Sequence, residues 1–486
     1  MTFGELVAGL DDAIISGDPN VTINKVEVDS RLVNSSDVFV AIPGFADDGL
    51  KYVYEAVRRG AIAVVAPSET PVAVKCSAKV GDIRRAIAKI AATYYDHPSR
   101  HLDLVGITGT NGKTTITWLL KSIFEQNGKP AGVIGTLGYH TAQQVFNAVN
   151  TTPGPLELEK ILNIMVAEGV RYAAAEVSSH ALAMYRVEEL EFRVVAISNI
   201  TQDHFDYHKT LESYREAKAH ILDLAVGKDK WAVLNRDDAN FGYLYPRVKS
   251  SCLTFAINDA RADLCIEDVK MSTSGSRFKL LTPQGSADVQ LQLLGKFNLE
   301  NALCAAAAAM AAGIELEQIA KGLGKRSFVH GRAQKVNAGQ NFTILIDYAH
   351  TPDALSKILE TARQIVKNRL LVLFGCGGDR DRGKRSLMAE AASTGADIVI
   401  VTSDNPRTED PLKIIEDIKP GLEKDKKSII EPDRRKAIEI ALALCEEGDL
   451  LVVAGKGHEN YQILGTNRIH FDDREVIEET LKGMAE

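Results

Sequence analysis

Gly106-Ile-Thr-Gly-Thr-Asn-Gly-Lys-Thr-Thr115 gathers glycines, threonines and one lysine in a composition suited to holding phosphates. The run Leu102-Asp-Leu-Val105 before it has the apolar content of a short strand, and Ile116 to Gln126 after it has apolar residues at helical spacing. A glycine-rich turn between strand and helix aims backbone N–H groups and the positive end of the helix at a polyphosphate. In that frame Gly109, Thr110, Asn111 and Gly112 form the turn. Lys113 reaches the β- and γ-phosphates, and Thr114 or Thr115 faces Mg²⁺. The common pattern G-x-x-x-x-G-K-[ST] would place glycine where Ile107 stands, so this loop is a tighter variant. The expected ligand is ATP.

Further polar clusters follow apolar runs. Glu176 ends Ala173-Ala-Ala-Glu-Val177 and precedes Ser178-Ser179-His180, while Asp203-His204-Phe-Asp-Tyr-His208 follows Val194-Val-Ala-Ile-Ser198. A carboxylate and an imidazole at strand ends facing a nucleotide loop suit Mg²⁺, a hard cation that prefers oxygen ligands. Taken singly, Glu176 and His204 could each cap a helix; their shared place after strands of one sheet favours the metal. Lys218, in Tyr214-Arg-Glu-Ala-Lys218, reads by pattern alone as a solvated helix lysine.

These residues need a scaffold. The 486-residue chain is too long for one ordinary core. Apolar runs alternating with helical patterns predict an α/β chain of three domains. Residues 1–98 form the first, residues 99–329 a central phosphate-loop domain with a parallel sheet in βαβ rhythm, and residues 330–486 a Rossmann-like α/β domain. Strands of the third are expected at Thr343–Asp347, Leu370–Phe374, Ile398–Thr402 and Leu450–Ala454. Ligands of such sheets bind beyond the carboxyl ends of the strands, where the polar clusters lie. A hydrophobic content of 45% and a charged content of 25% fit a soluble globular protein. A net charge of −8 argues against nonspecific nucleic-acid binding. The absence of a signal peptide or long apolar run, with six scattered cysteines, predicts a cytoplasmic protein with no membrane insertion.

Thr108-Gly-Thr-Asn-Gly-Lys-Thr114, Glu176-Val-Ser-Ser-His180, Asp203 to His208, Asn235-Arg-Asp-Asp238 and Asp347-Tyr-Ala-His-Thr-Pro352 together resemble the Mur ligases, ATP-dependent peptide-bond-forming enzymes of bacterial cell-wall synthesis. Asp29-Ser30-Arg31, Asn150-Thr-Thr-Pro153, Gly375 to Asp381, Asp404-Asn-Pro-Arg407 and Gly455-Lys-Gly-His-Glu459 extend the resemblance over the whole chain in family order. The resemblance implies a first domain that grips a UDP-N-acetylmuramoyl-dipeptide, with Ser30 near the uridine. Asn150, Thr151, Thr152, Ser178 and Arg186 would contact the same substrate, and Arg332 would contact nucleotide. It implies catalytic roles for Lys113, Glu176, His204 and Lys218. It also implies Mg²⁺ held by Thr114, Glu176, His204 and Lys218, the lysine carbamylated by CO₂ so that an anion replaces a cation beside metal and ATP. Met184, and Val329-His330, depart from the commoner family residues.

In the family, Asp404-Asn-Pro-Arg407 marks members that add meso-diaminopimelate. The physics agrees, because the Arg407 fork pairs with a carboxylate and would repel the ammonium of lysine. Arg380, Asp404, Asn405, Pro406, Arg407, Gly455 and Glu459 are therefore expected around the amino acid, and the enzyme is expected to be a monomer. The same ligase adding L-lysine and a folylpolyglutamate synthetase-like ligase are the alternatives; a kinase would not need the third domain.

Overall fold

The computed structural model describes residues 1–44, 48–272 and 274–485. The chain folds as α/β units, each built on its own sheet. In the central sheet Asp103–Thr108 lies between Tyr172–Glu176 and Val194–Ile197, parallel to both. Glu176 is level with Ile107, and Ile197 with Thr108, so the polar residues that follow all three strands emerge at one edge. Ala131–Gly135, Gly227–Asn235 and Ser250–Phe255 extend the sheet in parallel, while Gly138–His140 and Val145–Phe146 close one side antiparallel. These strands are apolar runs because helices cover both faces. One covering layer pairs Lys113–Phe124 with the alanine-rich Lys296–Ala311, whose small side chains let the two helices approach closely.

The helix after the phosphate loop starts at Lys113, earlier than the apolar spacing from Ile116 suggests. Lys113, Thr114 and Thr115 supply its first turn without contributing to an apolar stripe. The βαβ rhythm expected through the second block stops short. Cys265–Ser272, Gly275–Thr282 and Gly285–Leu291 form a separate antiparallel sheet, packed on the helix Leu316–Lys325. Alternating burial along Gly275–Thr282 and short glycine-bearing turns mark it as a meander, too tightly connected for crossover helices.

In the N-terminal sheet, Ile14–Gly17 pairs antiparallel with Cys76–Lys79, and Ala63–Ala66, Val38–Val40 and Val26–Glu27 follow in parallel. The C-terminal sheet runs Gln334–Val336, Thr343–Asp347, Leu450–Ala454, Leu370–Phe374, Ile398–Val401, Lys427–Ile430, parallel except for its first strand. Among the described residues no helix is long and apolar enough to cross a membrane.

A fully buried ion pair sets the edge of the C-terminal sheet. Arg434 donates from Nε and Nη2 to the two oxygens of Asp473 at 2.8 and 2.7 Å; Nη2 also donates to the carbonyl of Ala454 at 3.0 Å, and Nη1 to that of Ser403 at 3.3 Å. Those carbonyls immediately precede Gly455 and Asp404, so one guanidinium holds two strand ends in register. Removing one partner leaves the other charge buried. Asp473→Asn should therefore cost about 3–5 kcal/mol of stability, read as a lowered denaturant midpoint followed by C-terminal probes. An unchanged midpoint would show that the pair does not organise this edge.

Candidate active site

The phosphate loop is held from several directions. Gly109 has φ +147°, and a Cβ there would lie 1.9 Å from Ser198 Oγ; at Gly112, φ +90°, it would lie 2.2 Å from Asn301 Oδ1. Only glycine fits either position. Thr110 Oγ1 donates to Thr201 O and accepts from Thr201 N, and the Asn111 N–H donates to Asn199 Oδ1 at 2.9 Å. The loop therefore docks on the segment after Val194–Ile197.

Cations crowd this loop. Lys113 Nζ turns back to the carbonyls of Gly109 at 2.8 Å and Thr110 at 3.0 Å, and Lys218 Nζ donates to the same Gly109 carbonyl at 2.7 Å. Lys218 is buried, correcting the pattern-based view of a solvated helix lysine. Burial, and then the neighbouring Lys113, hold its amine well below the ordinary lysine range. Lys113 is also shifted down by burial.

Glu176 ends its strand buried and accepts from Thr136 N at 2.9 Å, Thr114 Oγ1 at 3.0 Å and Thr136 Oγ1 at 3.1 Å. It caps no helix. The Thr114 hydroxyl also accepts from Arg332 at 3.1 Å, and Asn111 Nδ2 donates to Asp353 at 2.8 Å, so the C-terminal unit reaches the loop in two places. His204 takes the left-handed conformation, φ +55°, at the start of Phe205–His208, and its side chain makes no cap. Partial burial pushes its imidazole below the usual range, with Lys113 and Lys218 adding to the shift against the Asp203 carboxylate. A neutral ring keeps a nitrogen available as a ligand.

Thr110 to Thr115, Glu176, Ser178, His204, Lys218 and Arg332 line one cavity of about 210 Å³. Arg380, Asp404, Asn405, Arg407, Gly455, Glu459, Asn150 and Thr151 line a second, of about 1200 Å³. The two share Thr136, Thr151, Asp203, His204, Tyr348 and His350. Thr152 and Arg186 sit behind this junction, with Arg186 donating to Thr152 O at 2.7 Å and Thr152 Oγ1 donating to Glu176 O at 2.7 Å. Met184 Sδ accepts from Arg186 at 3.7 Å. Ser30, bonded to Glu55 at 2.7 Å, lines neither cavity, and neither does the buried Pro406.

In the larger cleft Arg407 has φ +54°, a strained conformation for a residue with a Cβ. The hairpin Tyr461–Leu464/Asn467–His470 imposes it: Arg407 N donates to Ile463 O and Gly465 N to Arg407 O. Its guanidinium reaches Gly378 O at 2.8 Å. Asn405 bridges Glu459 at 2.8 Å and the hairpin amide of Ile463 at 3.0 Å. Burial, then the nearby Asp404, raise the Glu459 carboxyl, and the buried Lys456 donates to it at 3.3 Å.

The Mur ligase middle domain family matches residues 107–309, and the Mur ligase glutamate ligase domain family matches residues 331–457. The UDP-N-acetylmuramoyl-L-alanyl-D-glutamate--2,6-diaminopimelate ligase of Geobacillus kaustophilus is 44% identical over 474 residues, 96% of either chain. The chain belongs to the Mur ligase family. A solved structure of a ligase bearing the same name superposes with TM-score 0.70 at 34% identity, covering 100% of this chain and 99% of that one. A folylpolyglutamate synthase of Mycobacterium tuberculosis superposes with TM-score 0.61 at 18% identity, but over only 76% of this chain.

In this Mur ligase, sequence reasoning overlooked Thr136, Asn301 and Asp353. Each is a single polar residue outside a recognisable motif, and only the folded chain brings it to the loop. The buried Lys218 amine leads to a test with a definite sign. Its depressed pKa makes the protonated form costly in the folded state. That penalty is greatest at low pH and vanishes as pH rises towards 10.5, the ordinary lysine value. In buffer purged of CO₂, Lys218→Met should stabilise the protein at pH 7, where the buried amine bears that penalty. The gain should shrink by pH 9. Chemical denaturation at both pH values checks this, and a gain that grows with pH would contradict the burial argument.

Proposed function

We propose that this Mur ligase uses ATP to join meso-2,6-diaminopimelate to UDP-N-acetylmuramoyl-L-alanyl-D-glutamate. The observation that carries the reading is the junction of the two cavities at Thr136, Thr151, Asp203, His204, Tyr348 and His350. A nucleotide held by the loop and an amino acid held by Arg407 would both reach it. The names of the relatives support the same substrate pair. In this reading residues 1–98 grip the UDP end through Ser30, residues 99–329 bind ATP, and residues 330–486 bind the amino acid. The enzyme works as a cytoplasmic monomer.

The γ-phosphoryl group of ATP passes to the free side-chain carboxylate of D-glutamate. A carboxylate O–P bond forms, the bond to the bridging oxygen of ADP breaks, and ADP leaves. Lys113, Arg332 and the helix N-terminus offset charge on the transferring group. Asn150, Thr151, Thr152, Ser178 and Arg186 orient the muramoyl-dipeptide. The neutral amine of diaminopimelate then attacks the acyl phosphate, a C–N bond forms, the nitrogen gives up a proton, and phosphate departs as the C–O bond breaks. Arg407 and Arg380 hold the distal carboxylate and Glu459 the distal ammonium, with Asp404, Asn405, Pro406 and Gly455 shaping the pocket. Lysine would place an ammonium against Arg407 and leave the guanidinium without its carboxylate.

The donors fit Mg²⁺ on one condition. Among the described residues no group of three or more Asp, Glu, His or Cys side chains is arranged to hold a metal. Thr114, Glu176 and His204 need one further anionic donor, and a carbamate on Lys218 supplies it. A buried amine with a lowered pKa is more often neutral and so can attack CO₂. When bound, the metal offsets negative charge on the transferring phosphoryl group.

Sustained turnover, read as steady-state ADP formation, should require both the UDP-muramoyl-dipeptide and diaminopimelate, and Lys113→Ala should abolish it in a folded protein. Arg407→Ala should weaken apparent diaminopimelate affinity at least about tenfold, the loss of one charge-assisted contact at ~1.4 kcal/mol per decade, with ATP affinity unchanged. Equal catalytic efficiency with L-lysine in the wild type would overturn the amino-acid assignment. For the carbamate, protein incubated with ¹³C-bicarbonate should show a carbamate carbon resonance that Lys218→Ala removes. An active enzyme without that resonance would exclude it.

A further inference from the structure

The larger cleft extends well past the amino-acid pocket, to a wall the proposed reaction does not use. On the central unit this wall carries Trp118, His140, Arg326 and Phe328; on the C-terminal unit it carries His330 and Arg474. The Arg326 guanidinium lies 4.9 Å above the Trp118 ring, and His140 meets the same ring edge-on at 4.8 Å. Arg326 is half-buried, and its Nε is buried without an acceptor; the indole Nε1 of Trp118 is in the same position. The carboxylate whose charge reaches Arg326 is Glu125, which is held in an ion pair by Lys121. His330, Arg326 and Arg474 line the same cleft, and the charges of both arginines reach the His330 ring. The opposing carboxylate there, Asp472, accepts the backbone N–H groups of Arg474 at 2.8 Å and Glu475 at 3.3 Å at a helix start. Arg474 itself donates from Nε to Glu478 at 2.7 Å.

Two buried N–H donors without acceptors are costly, since each forfeits its hydrogen bond to water. A guanidinium stacked on an indole keeps its donor edge free for an anion. We propose that Arg326, Trp118, His330 and Arg474 form an oxyanion site, distinct from the phosphate loop, that takes a phosphate group at the mouth of the cleft. A tetrahedral dianion offers acceptors in several directions at once, matching donors that come from two units. A carboxylate, planar and singly charged, satisfies fewer of them. This inference does not rest on the ligase reaction.

Trp118 is itself a reporter, because the chain has two tryptophans and Trp231→Phe leaves only Trp118. Full-length Trp231→Phe protein is titrated with inorganic phosphate, with malonate and with ADP while indole fluorescence is followed. Phosphate should give a saturable change, weakened at least about tenfold by Arg326→Gln, the scale of one lost charge-assisted contact, and weakened also by Arg474→Gln. The change should persist in Lys113→Ala, which disables the loop and so separates the two sites. Circular dichroism and thermal melting show whether Arg326→Gln remains folded, and Arg474→Gln, on the other unit, provides an independent variant. A phosphate response identical in both arginine variants, or lost in Lys113→Ala, overturns the proposal. Malonate binding as tightly as phosphate overturns the phosphate assignment, and a response to ADP alone overturns a site for free phosphate.

Discussion

Positive charge is concentrated around one carbonyl. Gly109 O accepts from both Lys113 and Lys218, the first turn of Lys113–Phe124 starts beside them, and Arg332 bonds the adjacent Thr114 hydroxyl. Two ammonium groups sharing one oxygen repel each other, and burial withdraws the water that would screen them. Burial lowers the pKa of both amines, and at Lys218 the neighbouring Lys113 lowers it further. A polyphosphate relieves the repulsion directly, and turning one amine into an anion relieves it further. Much of the surrounding architecture serves to keep these cations together in spite of their mutual repulsion.

The central sheet does this by register. Because Glu176 is level with Ile107 and Ile197 with Thr108, a carboxylate, a glycine-rich turn and the Asn199–His204 segment leave the sheet at the same edge. Ser198 and Asn301 occupy the space a side chain would need at Gly109 and Gly112, so the loop keeps its shape before any ligand arrives. Preorganisation of this kind places the reorganisation cost in folding, not in binding.

The C-terminal unit contributes by strain and buried charge. The hairpin clamps Arg407 in a left-handed conformation, while Arg434 and Asp473 fix the strand ends beneath Asp404 and Gly455. Asn111 bonded to Asp353 and Thr114 bonded to Arg332 tie this unit to the phosphate loop. These two contacts join the loop to the unit that carries Arg407.

Much of the fold was legible in the chain alone. The strands Thr343–Asp347, Leu370–Phe374 and Leu450–Ala454 occupy the residues expected of them, because strands covered on both faces must be apolar throughout. The phosphate loop was legible because glycine and lysine there answer a local backbone requirement. The antiparallel meander from Cys265 to Leu291 was not, since alternation in short strands is a weak signal beside a strong βαβ rhythm. Neither was the burial of Lys218, which looks solvated on its own helix and is enclosed only when that helix packs beside the loop. Arg332 meets Thr114 across 218 positions of sequence and Asp353 meets Asn111 across 242. Local chemistry is written in neighbouring residues, whereas burial and charge pairing are properties of three-dimensional proximity, and those only the folded chain decides.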